Sequence, residues 1–205
     1  MANNTLIDAT GLRRSPASHL AEAMEAATVE GTRAVALREV AFATQLGLRA
    51  AAGSAGHAAL AAATGVGLPA SAGEVAGSVQ GTAVLWLGPD EFLVITPENG
   101  ALAGELVEAL GDAPGQVVDL SANRSVLELT GPSAPLVLRK SCPTDLHPRA
   151  FGVNQAVTTT LANIPVLLWR TGEQSWYILP RASFTEHTVH WLLDAMTEFA
   201  SKPVA

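Results

Sequence analysis

Apolar and polar positions are not evenly mixed along this chain. Residues 1–34 show no strand alternation. Ser18 stands where it could cap a short helix from His19 to Ala27. This segment reads as an arm, and an arm with little core of its own is stable only if it docks. From Val40 the pattern changes. Val40, Phe42, Thr44, Leu46 and Leu48 alternate with smaller or polar residues, which predicts a half-buried strand. "SAGHAALAAATG" (54–65) predicts a helix with Ser54 before it and Gly65 as its stop. The glycine-rich "VGLPASAGEVAGSVQG" (66–81) reads as a loop.

"TAVLWLGPDEFLVITP" (82–97) is the clearest hairpin signal, two apolar runs around Gly88-Pro89-Asp90-Glu91. "ALAGELVEALG" (101–111) predicts a helix with Leu102, Leu106 and Leu110 on one face, and "GQVVDLS" (115–121) a strand. The order is β-α-β-β-α-β, the split βαβ or ferredoxin-like pattern. A second series begins with the strand "RSVLELTG" (124–131) and the helix "PSAPLVLRKS" (132–141). Ser133 could cap that helix, Pro135 fits its first turn, and Arg139 and Lys140 suit its C-terminal end.

A proline-punctuated loop follows at 141–152. Residues 156–181 predict three strands, separated by Ala162-Asn163 and by Thr171-Gly172-Glu173. The last helix is "ASFTEHTVHWLLDAMTEFA", with Ser183 and Glu186 spaced as a capping box. Phe184, Val189, Leu192, Leu193, Met196 and Phe199 would line its buried face. The expected architecture is α+β. Two ferredoxin-like halves follow each other in one compact domain over residues 37–200, behind an arm over 1–36.

Composition narrows the function classes. At roughly 100–200 residues per domain, 205 residues make one domain or two small ones. The 48% hydrophobic share, much of it alanine, suffices for a core and excludes the disordered class. A net charge of −7 lacks the footprint of a nucleic-acid binder and does not suit an anionic membrane surface. One cysteine, Cys142, cannot form an internal disulfide. The N-terminus has no apolar signal region, and no window approaches the ~18 apolar residues of a membrane span. A cytoplasmic protein is the expectation.

Each chemical motif competes with a plainer reading. "GVGLPA" (65–70) matches G-x-G-x-x-A, but it follows a helix instead of preceding one, and Pro69 sits inside it. His187 and His190 share a helix, whereas a metal needs three or four convergent ligands. Cys142, Asp145 and His147 could place a base near a thiol, with no oxyanion motif beside them. Trp86, Trp169, Trp176 and Trp191 read as core or interface anchors. The best polar cluster is Asp119, Ser121, Asn123 and Arg124. It reads chiefly as the junction of the two halves, with Arg124 available to grip a carboxylate or a partner chain.

Four motifs in order carry a family resemblance: "LREVAFATQLGLRA" (37–50), "AVLWLGPDEFLVI" (83–95), "VVDLSANRSVLELTGPSAPLVLRKSCPTDLHP" (117–148) and "WYILPRASFTEHTVHWLLDA" (176–195). Together they resemble the gamma subunits of heterotetrameric sarcosine oxidase. More distantly they resemble the folate-binding aminomethyltransferases (glycine-cleavage T-proteins). The resemblance implies one chain among four, in an assembly that oxidises sarcosine to glycine through flavins. The products are hydrogen peroxide and either formaldehyde or 5,10-methylenetetrahydrofolate. It implies alpha and beta chains holding NAD, FAD and FMN, a delta chain holding zinc, and a gamma chain without a cofactor. The T-protein's catalytic aspartate motif is not reproduced in residues 1–40, where Asp8 and Glu22 lack its context. No catalytic, cofactor-binding or metal-ligating residue is therefore expected here. The alternative is a stand-alone folate-binding protein of the T-protein kind.

Overall fold

The computed structural model describes residues 10–201. The chain runs through a short helix α1 (Ala21–Ala26), β1 (Ala36–Glu39), β2 (Thr44–Arg49), α2 (Ala55–Ala63), β3 (Val75–Gly77), β4 (Ala83–Gly88) and β5 (Glu91–Thr96). It continues through α3 (Leu102–Leu110), β6 (Gln116–Asp119), β7 (Leu127–Thr130), α4 (Ala134–Arg139), β8 (Gln155–Leu161), β9 (Ile164–Gly172), β10 (Ser175–Pro180) and α5 (Thr185–Ala200).

Two five-stranded sheets result, ordered β3-β4-β5-β2-β6 and β1-β7-β10-β9-β8, with every pairing antiparallel. They pack face to face, and each carries helices on its outer face. The strand alternation shows this directly. In β10, Trp176 and Ile178 join the helix-side core with Val189, Leu192 and Met196 of α5. Tyr177 and Leu179 turn to the inter-sheet core with Leu85, Leu93 and Ile95. In β5, Phe92 and Val94 pack with Leu60, Leu102 and Leu106 of α2 and α3. Strands covered on both faces read as continuous apolar runs, which is why "VLWL" and "FLVI" lack polar alternation.

The first sheet is a ferredoxin-like half: strands β6-β2-β5-β4, with α2 and α3 as its two helices and β3 added at the edge. The second half has β7, α4, β9, β10 and α5, and lacks a final strand of its own. β1, from ahead of the first half, takes that place, pairing Leu37 with Leu129 and Arg38 with Glu128. The halves therefore interlock and do not simply follow each other. Ala17, Leu20, Met24 and Val35 enter the same core as α5, so residues before β1 help build the second half.

Several local expectations are corrected. The strand expected from Val40 to Leu48 begins only at Thr44, as β2, and residues 40–43 are the crossover from β1, which lies ahead of Val40 in the other sheet. The chain turns in this crossover at Phe42, whose φ is 59°. The loop at 66–81 contains β3, paired with β4. Ser18 does not cap α1: a 3-10 turn (Ser18–Leu20) precedes that helix, and the Ser18 hydroxyl donates to the Ser15 carbonyl. Ser133 caps nothing because its hydroxyl donates to the Arg33 carbonyl at 3.0 Å, pinning the N-terminal segment. The Ser183–Glu186 box does not form. Ser183 lies in a 3-10 turn (Ala182–Phe184), and α5 starts at Thr185, whose hydroxyl meets that of Ser125 at 2.7 Å. Phe184 is exposed and not part of the buried face, while Thr185, Thr188 and Ala195 are buried there.

Other local signals hold. The Ser54 hydroxyl accepts the His57 N–H at 3.1 Å, and Gly65 follows α2 with φ of 72°. Ala162 and Asn163 both have positive φ, the geometry of a tight hairpin turn. Among the described residues no helix is long and apolar enough to cross a membrane.

Candidate functional site

The polar cluster lies where the chain passes from the first sheet to the second. Leu120 N–H donates to the Gln45 carbonyl at 2.8 Å, and Asn123 N–H to the Leu120 carbonyl at 2.8 Å, closing a turn. Ser121 faces β2: its hydroxyl oxygen accepts the Gln45 N–H at 3.1 Å. Its own N–H donates to Asp119 Oδ1 at 2.9 Å. Asn123 faces the second sheet. Its carbonyl accepts the Ala182 N–H at 2.9 Å, and its side-chain oxygen accepts Arg181 Nη1 at 2.6 Å. Arg124 Nη1 donates to the Leu179 carbonyl at 3.2 Å, and the Arg124 carbonyl accepts Gln45 Nε2 at 2.8 Å. The cluster thus stitches β2 to the end of β10 and the 3-10 turn ahead of α5.

A cavity of about 680 Å³ opens over this seam. Its walls are residues 13–16, the crossover 39–43 between β1 and β2, Gln45, and residues of the 119–126 passage. A smaller apolar cavity of about 220 Å³ shares Val40, Ala41 and Ala43 with it and reaches Trp169 and Tyr177 between the sheets. Sequence reasoning found the far wall and missed the near one. Gln45 looks like the solvent-side residue of an alternating strand, yet it is 2% exposed. It points away from Leu46 and Leu48, into the space between the sheets. A buried polar side chain is the informative observation, but nothing local marks it.

The electrostatics follow from these partners. The Ser121 hydroxyl and backbone N–H hold Asp119 below the usual carboxylate range, against a small opposing effect of burial. Burial first, and the charge of Arg181 second, lower the proton affinity of Arg124, which nevertheless remains a cation. A depressed carboxylate stabilises the fold above its unfolded pKa, and that contribution is lost as pH falls through the folded value. Asp119 is mostly solvated, so screening limits the effect. Asp119→Asn is expected to cost at most ~0.5 kcal/mol at pH 7. In urea titrations the gap to the parent chain should close below the ordinary carboxylate range. A gap that widened in acid would contradict the assignment.

The other motifs are dispersed. Gly65 and Gly67 follow the C-terminus of α2, the wrong end for a pyrophosphate. His190 and Glu186 face each other at 3.8 Å on the surface of α5. No three His, Cys, Asp or Glu side chains among the described residues are placed to hold a metal. Cys142 is buried with its sulfur 3.8 Å from the Thr159 hydroxyl, while His147 Nδ1 accepts the Arg149 N–H within its own loop. Trp169 and Trp176 are fully buried, and Trp86 and Trp191 are partly buried. Burial first, and Glu128 second, raise Tyr177 above the usual phenol range, so it stays neutral.

Comparisons with known proteins agree with one another. The family model described as "Sarcosine oxidase, gamma subunit family" matches residues 49–198. Curated gamma subunits of sarcosine oxidase from an Arthrobacter species and from Corynebacterium sp. strain P-1 are each 77% identical over 205 residues, all of both chains. A chain of the heterotetrameric sarcosine oxidase of Corynebacterium sp. U-96, solved with pyrrole 2-carboxylate, superposes with a TM-score of 0.93 at 78% identity. The match covers 95% of this chain and 100% of that one. The glycine-cleavage aminomethyltransferase of Bartonella henselae shares the fold at a TM-score of 0.57 and 18% identity, over 78% of this chain and 45% of that one. With the two ferredoxin-like halves in place and the match running through both, the chain belongs to the sarcosine oxidase gamma subunit family.

Proposed function

We propose that this chain is a non-catalytic subunit of a heterotetrameric sarcosine oxidase, working in the cytoplasm beside alpha, beta and delta chains. Its task is to cover and support larger partners that hold FAD, FMN and NAD, with zinc on the delta chain. The assembly demethylates sarcosine to glycine, giving hydrogen peroxide and either formaldehyde or 5,10-methylenetetrahydrofolate. The observation that carries this reading is the engagement of the best polar cluster. Asp119 holds Ser121, Ser121 bonds to β2 and Asn123 to Arg181, so all three serve the junction, which leaves Arg124 in the cavity wall for a partner chain.

The competing reading, a folate-binding protein acting alone, draws on the aminomethyltransferase fold and on the seam cavity. Calorimetric titration of the isolated chain with tetrahydrofolate separates the two. The subunit reading expects no heat of binding and no sarcosine-dependent peroxide. Submillimolar binding would favour the alternative.

A further inference from the structure

We infer that the seam cavity receives an acidic segment of a partner chain, its carboxylate pairing with Arg124 and a neighbouring N–H or O–H reaching Gln45. The inference rests on the reading of the chain as a docking subunit and names the surface and the chemistry of what docks.

Three observations converge on the cavity. The Arg124 guanidinium has five N–H donors. Among the described residues one of them is engaged, by the Leu179 carbonyl, and no carboxylate stands within ion-pair distance. The group is half-buried beside Arg181, a setting that favours an incoming anion and a two-point grip on it. The second observation is Gln45. Its Nε2 is fixed by the Arg124 carbonyl at 2.8 Å, which dictates the amide orientation. Its Oε1 is then left buried with no donor among the described residues. An incoming donor beside the carboxylate would answer it.

The third observation is charge. The cavity's own carboxylates are engaged: Glu39 accepts from the Ser15 hydroxyl and the Ala17 N–H, and Asp119 accepts from the Ser121 N–H. Arg13 is paired with Glu98. The cations of the lining without an ion pair among the described residues are Arg14 and Arg124. The engaged carboxylates keep their charge, so the lining sets three arginines, Arg13, Arg14 and Arg124, against two carboxylates, Glu39 and Asp119. In a chain acidic overall this wall has one positive charge in excess, which complements an acidic segment.

The rim argues for a protein segment over a free small carboxylate. Phe42 is 39% exposed in the left-handed region at φ of 59°, where a bulky residue is strained. The Arg13 guanidinium sits 4.3 Å above its ring. An exposed aromatic beside a charged centre is the make-up of a protein interface, and a small carboxylate would leave it in water.

The test uses the full chain co-expressed with the other subunits of its complex. Arg124→Ala is expected to weaken its association about 100-fold, the loss typical of truncating one side of a half-buried charge pair. Arg124→Lys should recover only part, because the fork is lost. A benzoylphenylalanine at position 42 should crosslink the chain to a partner on irradiation. In a separate arm, millimolar sodium glutamate should leave the melting temperature of the isolated chain unchanged. Unaltered association of Arg124→Ala, absence of the crosslink, or a clear upward shift with glutamate would each overturn the inference. Failure of the unsubstituted chain to associate at all would instead overturn the subunit reading beneath it.

Discussion

Deleting residues 1–40 is expected to abolish the cooperative thermal transition of this chain. β1 is the outer strand of the second sheet and supplies the ladder partner of β7 from Ala36 to Glu39. The segment before it buries Leu20, Met24 and Val35, and β1 adds Leu37, all 8% exposed or less. At about 1.5–3 kcal/mol for each such side chain, these four account for roughly 6–12 kcal/mol of apolar burial. That equals most of the ~5–15 kcal/mol by which folded domains exceed their unfolded chains. The deletion also bares the edge of β7 and removes the Arg33 carbonyl that holds Ser133. Circular dichroism on heating should show a broad, sloping loss of signal. A single sharp transition within a few degrees of the full chain would mean that the second half does not depend on its borrowed strand.

Trp169→Ala is expected to be the most damaging single substitution between the sheets, at about 3–5 kcal/mol. Trp169 has no exposed surface and meets Tyr177 edge-on, with ring centroids 5.4 Å apart. Its indole N–H donates to Asn154 Oδ1 at 3.3 Å. That bond orients Asn154, whose Nδ2 donates to the Val75 and Gly77 carbonyls of β3, in the other sheet. The substitution thus opens a void and frees a bridge between the sheets. Trp169→Phe keeps much of the ring and loses the bridge, so a smaller cost of about 1–2 kcal/mol is expected. Urea midpoints at neutral pH give both values. An alanine variant within about 1 kcal/mol of the parent would place the main stabilisation elsewhere.

The apolar runs around Gly88-Pro89-Asp90 and around Ala162-Asn163 were legible because hairpin partners are neighbours in sequence and the turn residues are diagnostic. β1 was not legible as a strand at all, because it is four residues long and ends before the alternation begins at Val40. Its partner β7 is remote in sequence, and the alternation from Val40 runs straight through Phe42, where the backbone reverses. The interlocking of the halves is for the same reason a tertiary fact. Ser18, Ser133 and Ser183 carry cap-like spacing, but a hydroxyl bonds to whatever acceptor packing brings near, and for Ser133 that is Arg33. At the site, Asp119, Ser121, Asn123 and Arg124 stood out as polar residues between apolar strands. Gln45 and Phe42 complete the cavity from the other side and carry no local mark. One is a polar residue in a strand buried on both faces, the other an aromatic in a glycine-like conformation.

The proposed role of this chain as a docking subunit is tested most directly by measuring the mass and the visible absorbance of the species that contains it, after co-expression with the other three subunits. A single yellow assembly holding one copy of each chain is expected, with no free monomer of this one. A colourless monomer beside a yellow complex that forms without it would show that the chain is not a subunit the assembly needs.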